Sequence, residues 1–277
     1  MKTLLKNLWF RLPYNLSIPA PLPYKIAGTR PWIPAHPDET GIAIAQRWPF
    51  PNYNYENRLW DFIQKLEFKP RKVAIDAGAG QGFYTLMLAD KFETVLAVEP
   101  NPIEAEILHN NLDKYGVKNT VILKQPLSSR IETVDFRWIQ HHESRSSFAP
   151  VFQEDVVKFK RGNNKKRKVQ LETTTLDIIL DGMNWIEDVA FIKLDIEGAE
   201  LEALSGMKRT ILINRPIIVC ELADIATDSF NYWASEIISR LTSYGYKGFT
   251  FDSNRKLQSL DEHVGPLRTE GIFLPND

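Results

Sequence analysis

The segment Val73-Ala-Ile-Asp76-Ala-Gly78-Ala-Gly80-Gln-Gly82-Phe83-Tyr constrains this chain more than any other. A short apolar run ends in an acid. Glycines follow at alternate positions, and an apolar helical pattern then runs from Phe83 to Ala89. Glycine accepts positive φ and lets a ligand approach the backbone, so the order reads as strand, ligand-binding turn, helix. The alternation continues. Thr94–Val98 reads as a second strand. Asn101-Pro102-Ile103-Glu104 reads as a helix start, with Asn101 as cap, Pro102 at the first position and Glu104 completing a capping box; Gly116 ends that helix. Further strands are expected at Thr120–Leu123, Ala190–Asp195, Pro216–Glu221, Tyr246–Phe251 and Gly271–Leu274. Leu201, Leu204 and Met207 repeat at helical spacing between the fourth and fifth. A later helix is expected to bury Phe230, Trp233, Ile237 and Leu241 and to stop at Gly245.

This pattern implies an α/β fold: a Rossmann-like, mostly parallel seven-stranded sheet with helices on both faces. Such sheets bind ligands at the carboxyl ends of their strands, where the strand order reverses. Asp76, Glu99, Asp195 and Glu221 each end an expected strand on that edge.

Two segments break the alternation. Residues 1–55 are rich in Pro and aromatics and read as an arm or cap on a domain spanning 56–277. Met1–Arg11 reads as a short amphipathic helix, too short and too charged to span a bilayer; weak peripheral membrane contact is the sharper alternative. Residues 128–172 read as an insertion with a β-hairpin about Gly162-Asn163-Asn164. Its basic residues Lys158, Lys160, Arg161, Lys165, Lys166, Arg167 and Lys168 either guard a strand edge or attract an anionic acceptor. A formal net charge of -1 and the lack of a recognised nucleic-acid module argue against nucleic acid as a partner. Cys220, the single cysteine, sits in an apolar run and reads as a buried thiol, which fits a cytoplasmic protein.

A dinucleotide fingerprint would place its third glycine where Phe83 stands, so the pyrophosphate cofactor of an oxidoreductase fits less well. A turn carrying the Asp76 carboxylate suits S-adenosyl-L-methionine, which is cationic and has no phosphate. Glu99, after the second strand, is positioned to accept both ribose hydroxyls. At the reacting end, Asp195 and Glu221 are candidates for base and orienter, or for joint ligands of a divalent cation such as Mg2+. His142, expected in irregular sequence, is a further candidate base. Glu200 and Glu202 read as acids decorating a helix N-terminus.

Together with Val98-Glu99-Pro100-Asn101, Thr174-Thr175-Leu176-Asp177 and Ile192-Lys193-Leu-Asp195-Ile-Glu197-Gly198-Ala-Glu200, these motifs resemble the FkbM-type class I methyltransferases over residues 55–275. The resemblance implies O-methylation of a hydroxyl on a sugar, glycan or natural product. It implies cofactor contacts from Gly78, Gly80, Gly82 and Glu99, with Phe83, Pro100 and Asn101 beside them. It also implies adenine-side contacts at Pro126 and Leu127 and a methionine-end contact at Glu56. Pro126 and Ser129 depart from the family's more frequent residues there. An RNA methyltransferase is the alternative within the enzyme class.

Overall fold

Every residue of the first strand, β1 (Val73–Ala77), is buried, which requires cover on both faces of a sheet. The computed structural model describes residues 57–68, 72–139, 142–147, 166–224, 232–252, 256–262 and 267–276. Within them the order is α1 (Asn57–Lys65), β1, α2 (Phe83–Lys91), β2 (Thr94–Val98), α3 (Pro102–Lys114), β3 (Thr120–Leu123), β4 (Thr133–Ile139), β5 (His142–Ser147) and β6 (Lys166–Glu172). There follow α4 (Leu176–Gly182), β7 (Val189–Leu194), α5 (Glu200–Gly206), α6 (Lys208–Asn214), β8 (Ile217–Ala223), α7 (Ala234–Ser243), β9 (Tyr246–Phe251), β10 (Leu257–Ser259) and β11 (Arg268–Pro275).

The main sheet has eight strands in the order β10-β9-β11-β8-β7-β1-β2-β3. From β8 to β3 all neighbours are parallel, while β11 runs antiparallel to both β8 and β9. The chain moves from β1 outward to β3, then returns to the other side of β1 with β7. The order therefore reverses between β1 and β7, and the carboxyl ends of these two strands flank the switch point. One apolar layer, with Leu59, Trp60, Met87 and Phe191, lies beneath α1 and α2. The opposite layer, with Leu180, Leu204, Ile211, Ile237 and Leu241, lies beneath α4 to α7. This is the α/β architecture expected, with one correction: eight strands, not seven. The extra strand is β10, too short and exposed to leave an apolar signature.

Other expectations change in detail. Within the described residues the insertion forms a three-stranded antiparallel sheet, β5-β4-β6; the first arm of the expected hairpin lies outside them. Its last strand pairs along its length with β4, from Thr133 opposite Glu172 to Ile139 opposite Lys166. The turn expected at 162–164, and the arm of residues 1–55, lie outside the described residues. The helix through Leu201 and Met207 divides at Met207 into α5 and α6. Trp233 does not face the core: it caps α7 and is exposed, while Ile237 and Leu241 are buried as expected. Phe230 lies outside the described residues. Cys220 is a buried thiol, and burial pushes its pKa well up. Among the described residues no helix is long and apolar enough to cross a membrane.

Candidate active site

The turn after β1 is fixed by the strands beside it. Gly78 and Ala79 both donate N–H bonds to the Val98 carbonyl at the end of β2. Gly78, Gly80 and Gly82 all have positive φ, the region that costs side-chain-bearing residues about 1–2 kcal/mol. At Gly78 there is no space for any side chain, because a Cβ would lie 1.7 Å from the Asp195 carbonyl oxygen. Beside Gly80 the space is open; a Cβ there would have as its nearest heavy atom a Glu104 carboxylate oxygen at 3.9 Å. Gly82 caps α2, and Asn111 Nδ2 donates to the Gln81 carbonyl at 2.8 Å, tying the turn to α3.

Glu99 stands across this turn. One carboxylate oxygen accepts from Gly80 N and the other from Asn101 N, each at 2.8 Å. Asn101 in turn caps α3 by accepting from Ile103 N at 3.0 Å, with Pro102 at the first helical position. The cap residue's own N–H is thereby engaged by Glu99. Burial pushes the Glu99 pKa up to about 7, against the two N–H donors that pull it down.

Asp76 is buried, 1% exposed, in β1. Its Oδ2 accepts from Thr85 Oγ1 at 2.6 Å, and its buried Oδ1 has no hydrogen-bond partner among the described residues. Burial raises its pKa, with the Lys193 ammonium opposing. Lys193 is opposite Asp76 in the parallel β1–β7 register, so both side chains share one sheet face. Its side chain is 3% exposed; Nζ donates to Asp195 Oδ2 at 2.8 Å and lies 4.8 Å from the centre of the Tyr84 ring. Asp195, just past β7, has a quarter of its side-chain surface open.

Glu221 is on the adjoining strand β8, one residue beyond Cys220, which pairs with Leu194. It is half-buried. Burial, then the charge on Asp195, raises its pKa well above the usual carboxylate range. The four acids gather toward one edge, although Asp76 and Glu221 lie inside β1 and β8 rather than ending them: Asp76, Glu99 and Asp195 feel one another, and Asp195 reaches Glu221. The divalent cation expected at Asp195 and Glu221 lacks support, because no group of three or more His, Cys, Asp or Glu with metal-holding geometry occurs among the described residues.

The turn from Asp195 to Glu200 carries Glu197 at φ 56 and Gly198 at φ 102. Glu200 holds that turn, its Oε1 accepting from Ile196 N at 2.9 Å and Gly198 N at 3.2 Å. Tyr232 locks it from outside, donating to the Gly198 carbonyl at 2.6 Å and accepting from Leu201 N. Glu200 stands in the first turn of α5 as expected, but it is 1% exposed and holds the preceding turn. Glu202 does remain partly open and accepts from Ser129 Oγ at 2.6 Å.

The other expected residues fall as follows. Phe83 packs on Trp60, ring centres 4.6 Å apart. Pro100 is half-buried between Glu99 and the α3 cap. Pro126 accepts at its carbonyl from Thr174 N, and the Leu127 side chain belongs to the core. His142 is not in irregular sequence: it begins β5, opposite Ile139, in the separate three-stranded sheet. Glu56 lies outside the described residues. Lys193 is a site residue that the sequence reasoning does not reach. Its signal is a charge inside a buried apolar strand, where lysine is almost never found without a partner.

Residues 76–247 match the family model described as the methyltransferase FkbM domain. The chain is 29% identical over 153 residues to methyltransferase sdnD of Sordaria araneosa, covering 48% of this chain and 59% of that protein. It is 40% identical over 54 residues to a probable ribosomal RNA small subunit methyltransferase A of Methanosarcina barkeri, covering 20% of this chain and 19% of that one. The crystal structure of methyltransferase FkbM from Methylobacillus flagellatus KT aligns with TM-score 0.46 at 19% identity, over 76% of this chain and 45% of that chain. The chain thus spans less than two thirds of the length of each.

Proposed function

The chain belongs to the FkbM methyltransferase family, and from that premise we propose that it transfers a methyl group from S-adenosyl-L-methionine to a hydroxyl of a sugar, glycan or natural product. The observation that carries the reading is the gathering of Asp76, Glu99 and Asp195 around an open glycine turn at the sheet's switch point. The residues fit the cofactor. The space beside Gly80 admits a ligand, the buried Asp76 Oδ1 is open to a donor, and Glu99 is already aimed by two backbone N–H groups. Glu99 would hold the ribose and the 78–82 turn the methionine end. When bound, the sulfonium supplies an electrophilic methyl group. Membership of this family also removes the oxidoreductase alternative.

Asp195 is the group we assign to the acceptor. Its carboxylate is partly open, and only Oδ2 is engaged within the described residues. It takes the hydroxyl proton as the oxygen becomes nucleophilic, a contribution of about 10²- to 10⁴-fold. Alignment of the reactants contributes more, about 7–11 kcal/mol. Burial and the neighbouring Asp195 raise the Glu221 pKa, which favours a role as hydrogen-bond donor over one as a second base. An acidic rim favours a neutral, hydroxyl-rich acceptor at the reacting point. An anionic acceptor group would have to lie further out, toward the basic strand β6.

The test is transfer of labelled methyl from S-adenosyl-L-methionine to a panel of saccharides, polyol natural products and RNA. We expect Asp195→Asn to lose most turnover while cofactor affinity by calorimetry stays within about threefold, since the amide keeps the shape and removes the base. Full turnover in that variant would reject Asp195 as the base, and methylation of RNA alone would reject the acceptor class.

A further inference from the structure

The acid assigned as base is held by a buried cation to which the reaction as written gives no part. Lys193 lies within β7, its side chain almost closed to solvent, between apolar neighbours Ile192 and Leu194. At least three groups among the described residues meet the ammonium. Asp195 Oδ2 accepts its hydrogen bond, the Tyr84 ring offers its face, and Asp76 stands beside it at the same register level. The two acids differ in how they are held. Asp76 is oriented independently by Thr85. Asp195 has no other side-chain hydrogen bond among the described residues, so Lys193 alone fixes its carboxylate.

The ammonium offsets the buried Asp76 carboxylate, but that alone does not require it to reach Asp195 Oδ2. A buried ion pair is often no more stabilising than well-packed apolar residues of similar volume. Phe191, Val219 and Met87 in the same layer are apolar and would accommodate an apolar side chain, with the buried Asp76 carboxylate beside it. What an apolar side chain cannot do is hold an exposed carboxylate in one orientation. We propose that Lys193 is a positioning residue for the methyl-transfer reaction, clamping Asp195 through Oδ2 and leaving Oδ1 for the acceptor hydroxyl. This rests on the assignment of Asp195 as the base. In the chemical step Lys193 then acts through Asp195, and its removal should slow the maximal rate no further once that carboxylate is gone.

The test is a double-mutant cycle with Lys193→Met, Asp195→Asn and the double variant, joined by Lys193→Gln. The probe is labelled S-adenosyl-L-methionine with a pooled panel of mono- and oligosaccharides. A misplaced reacting group costs about 10²-fold, so Lys193→Met should lose about 10- to 100-fold in maximal rate with the cofactor KM little changed. The double variant should be no slower than Asp195→Asn alone. Lys193→Gln keeps a donor of similar reach and should recover part of the loss. Crystal structures supply a readout free of turnover: one Asp195 side-chain orientation in the parent and in Lys193→Gln, and a displaced or split one in Lys193→Met. Additive losses in the cycle, a fully active Lys193→Met, an unrescued Lys193→Gln or an unmoved Asp195 would each overturn the inference. An active Asp195→Asn strikes the base assignment itself, whereas an inactive Asp195→Asn beside an active Lys193→Met strikes only the role of the lysine.

Discussion

Glu99 joins three parts of the site with one carboxylate: the glycine turn, the α3 cap and the place assigned to the cofactor ribose. Hydrogen bonds to a charged group contribute about 1.5–3 kcal/mol each. Glu99→Gln keeps the size but replaces one acceptor oxygen with a donor, so cofactor affinity should fall about 10- to 100-fold by calorimetry. An unchanged Kd would remove the ribose assignment. The strand-end acids are legible in the sequence because an acid closing an apolar run is anomalous. Lys193 carries the same anomaly but stands two residues before Asp195, whose strand-end place is the more conspicuous. Glu200 is illegible for a different reason. Its position looks like an ordinary helix start, and its burial depends on Tyr232, which is 32 residues away and reaches it only in the folded chain. Asn101 is legible as a cap because that bond is local, whereas the bond from its N–H to Glu99 depends on where β2 ends.

The glycine turn separates two demands that the sequence alone does not distinguish. Gly78 is required by packing, since any Cβ strikes the Asp195 carbonyl and the backbone is left-handed. At Gly80 packing makes no such demand, and what favours glycine is the left-handed backbone and the cofactor assigned to the open space beside it. Gly78→Ala should therefore lower stability by about 2 kcal/mol or more, from strain and overpacking together, and should spread β1 and β7 apart. Gly80→Ala should cost about 1 kcal/mol from its backbone conformation but reduce cofactor affinity at least as strongly as Gly78→Ala does. Denaturant unfolding and calorimetry on both variants read the two quantities apart; equal stability losses would refute the distinction. The parallel strands are legible because strands buried on both faces are apolar throughout. The division of one helix at Met207 is not, and neither is the close packing beside it, where a Cβ at Gly206 would come within 2.0 Å of the Ser128 carbonyl. The three-stranded sheet is half legible, since alternation marks strands but does not say which strand each will pair with.

Several buried acids shift in the same direction, and the sum is a property of the protein as a whole. Burial raises Glu99 and Glu200 to about 7 each, and raises Asp76 and Glu221 as well. For an acid raised in the folded state, the folded form binds its proton more tightly than the unfolded chain does. Its stabilising contribution is complete below the ordinary carboxylate pKa and is lost as pH rises through the folded value. The cofactor-free protein should thus gain stability as pH falls from 8 toward 5, by up to about 1.4 kcal/mol per pH unit for each group within its window. Two oppositely placed shifts do not interfere. Asp135 is lowered by its bond to Lys168 and matters only in stronger acid, and Lys72 is raised above its usual range by Asp188 and matters only in alkali. Cofactor binding should run the other way, because the ribose needs the ionised Glu99. Affinity should fall about tenfold from its plateau at one pH unit below 7, the behaviour of a single site that must lose its proton. Thermal unfolding at pH 6 and 8, with and without saturating S-adenosyl-L-methionine, measures both trends at once. The expected result is a higher Tm for the free protein at pH 6, together with a smaller rise on adding the cofactor. Glu99→Gln should flatten both dependences while leaving the part due to Glu200. A free-protein Tm that falls between pH 8 and 6 would show that these carboxylates are ionised in the fold, and the account of how burial sets the site's charge would fail with it.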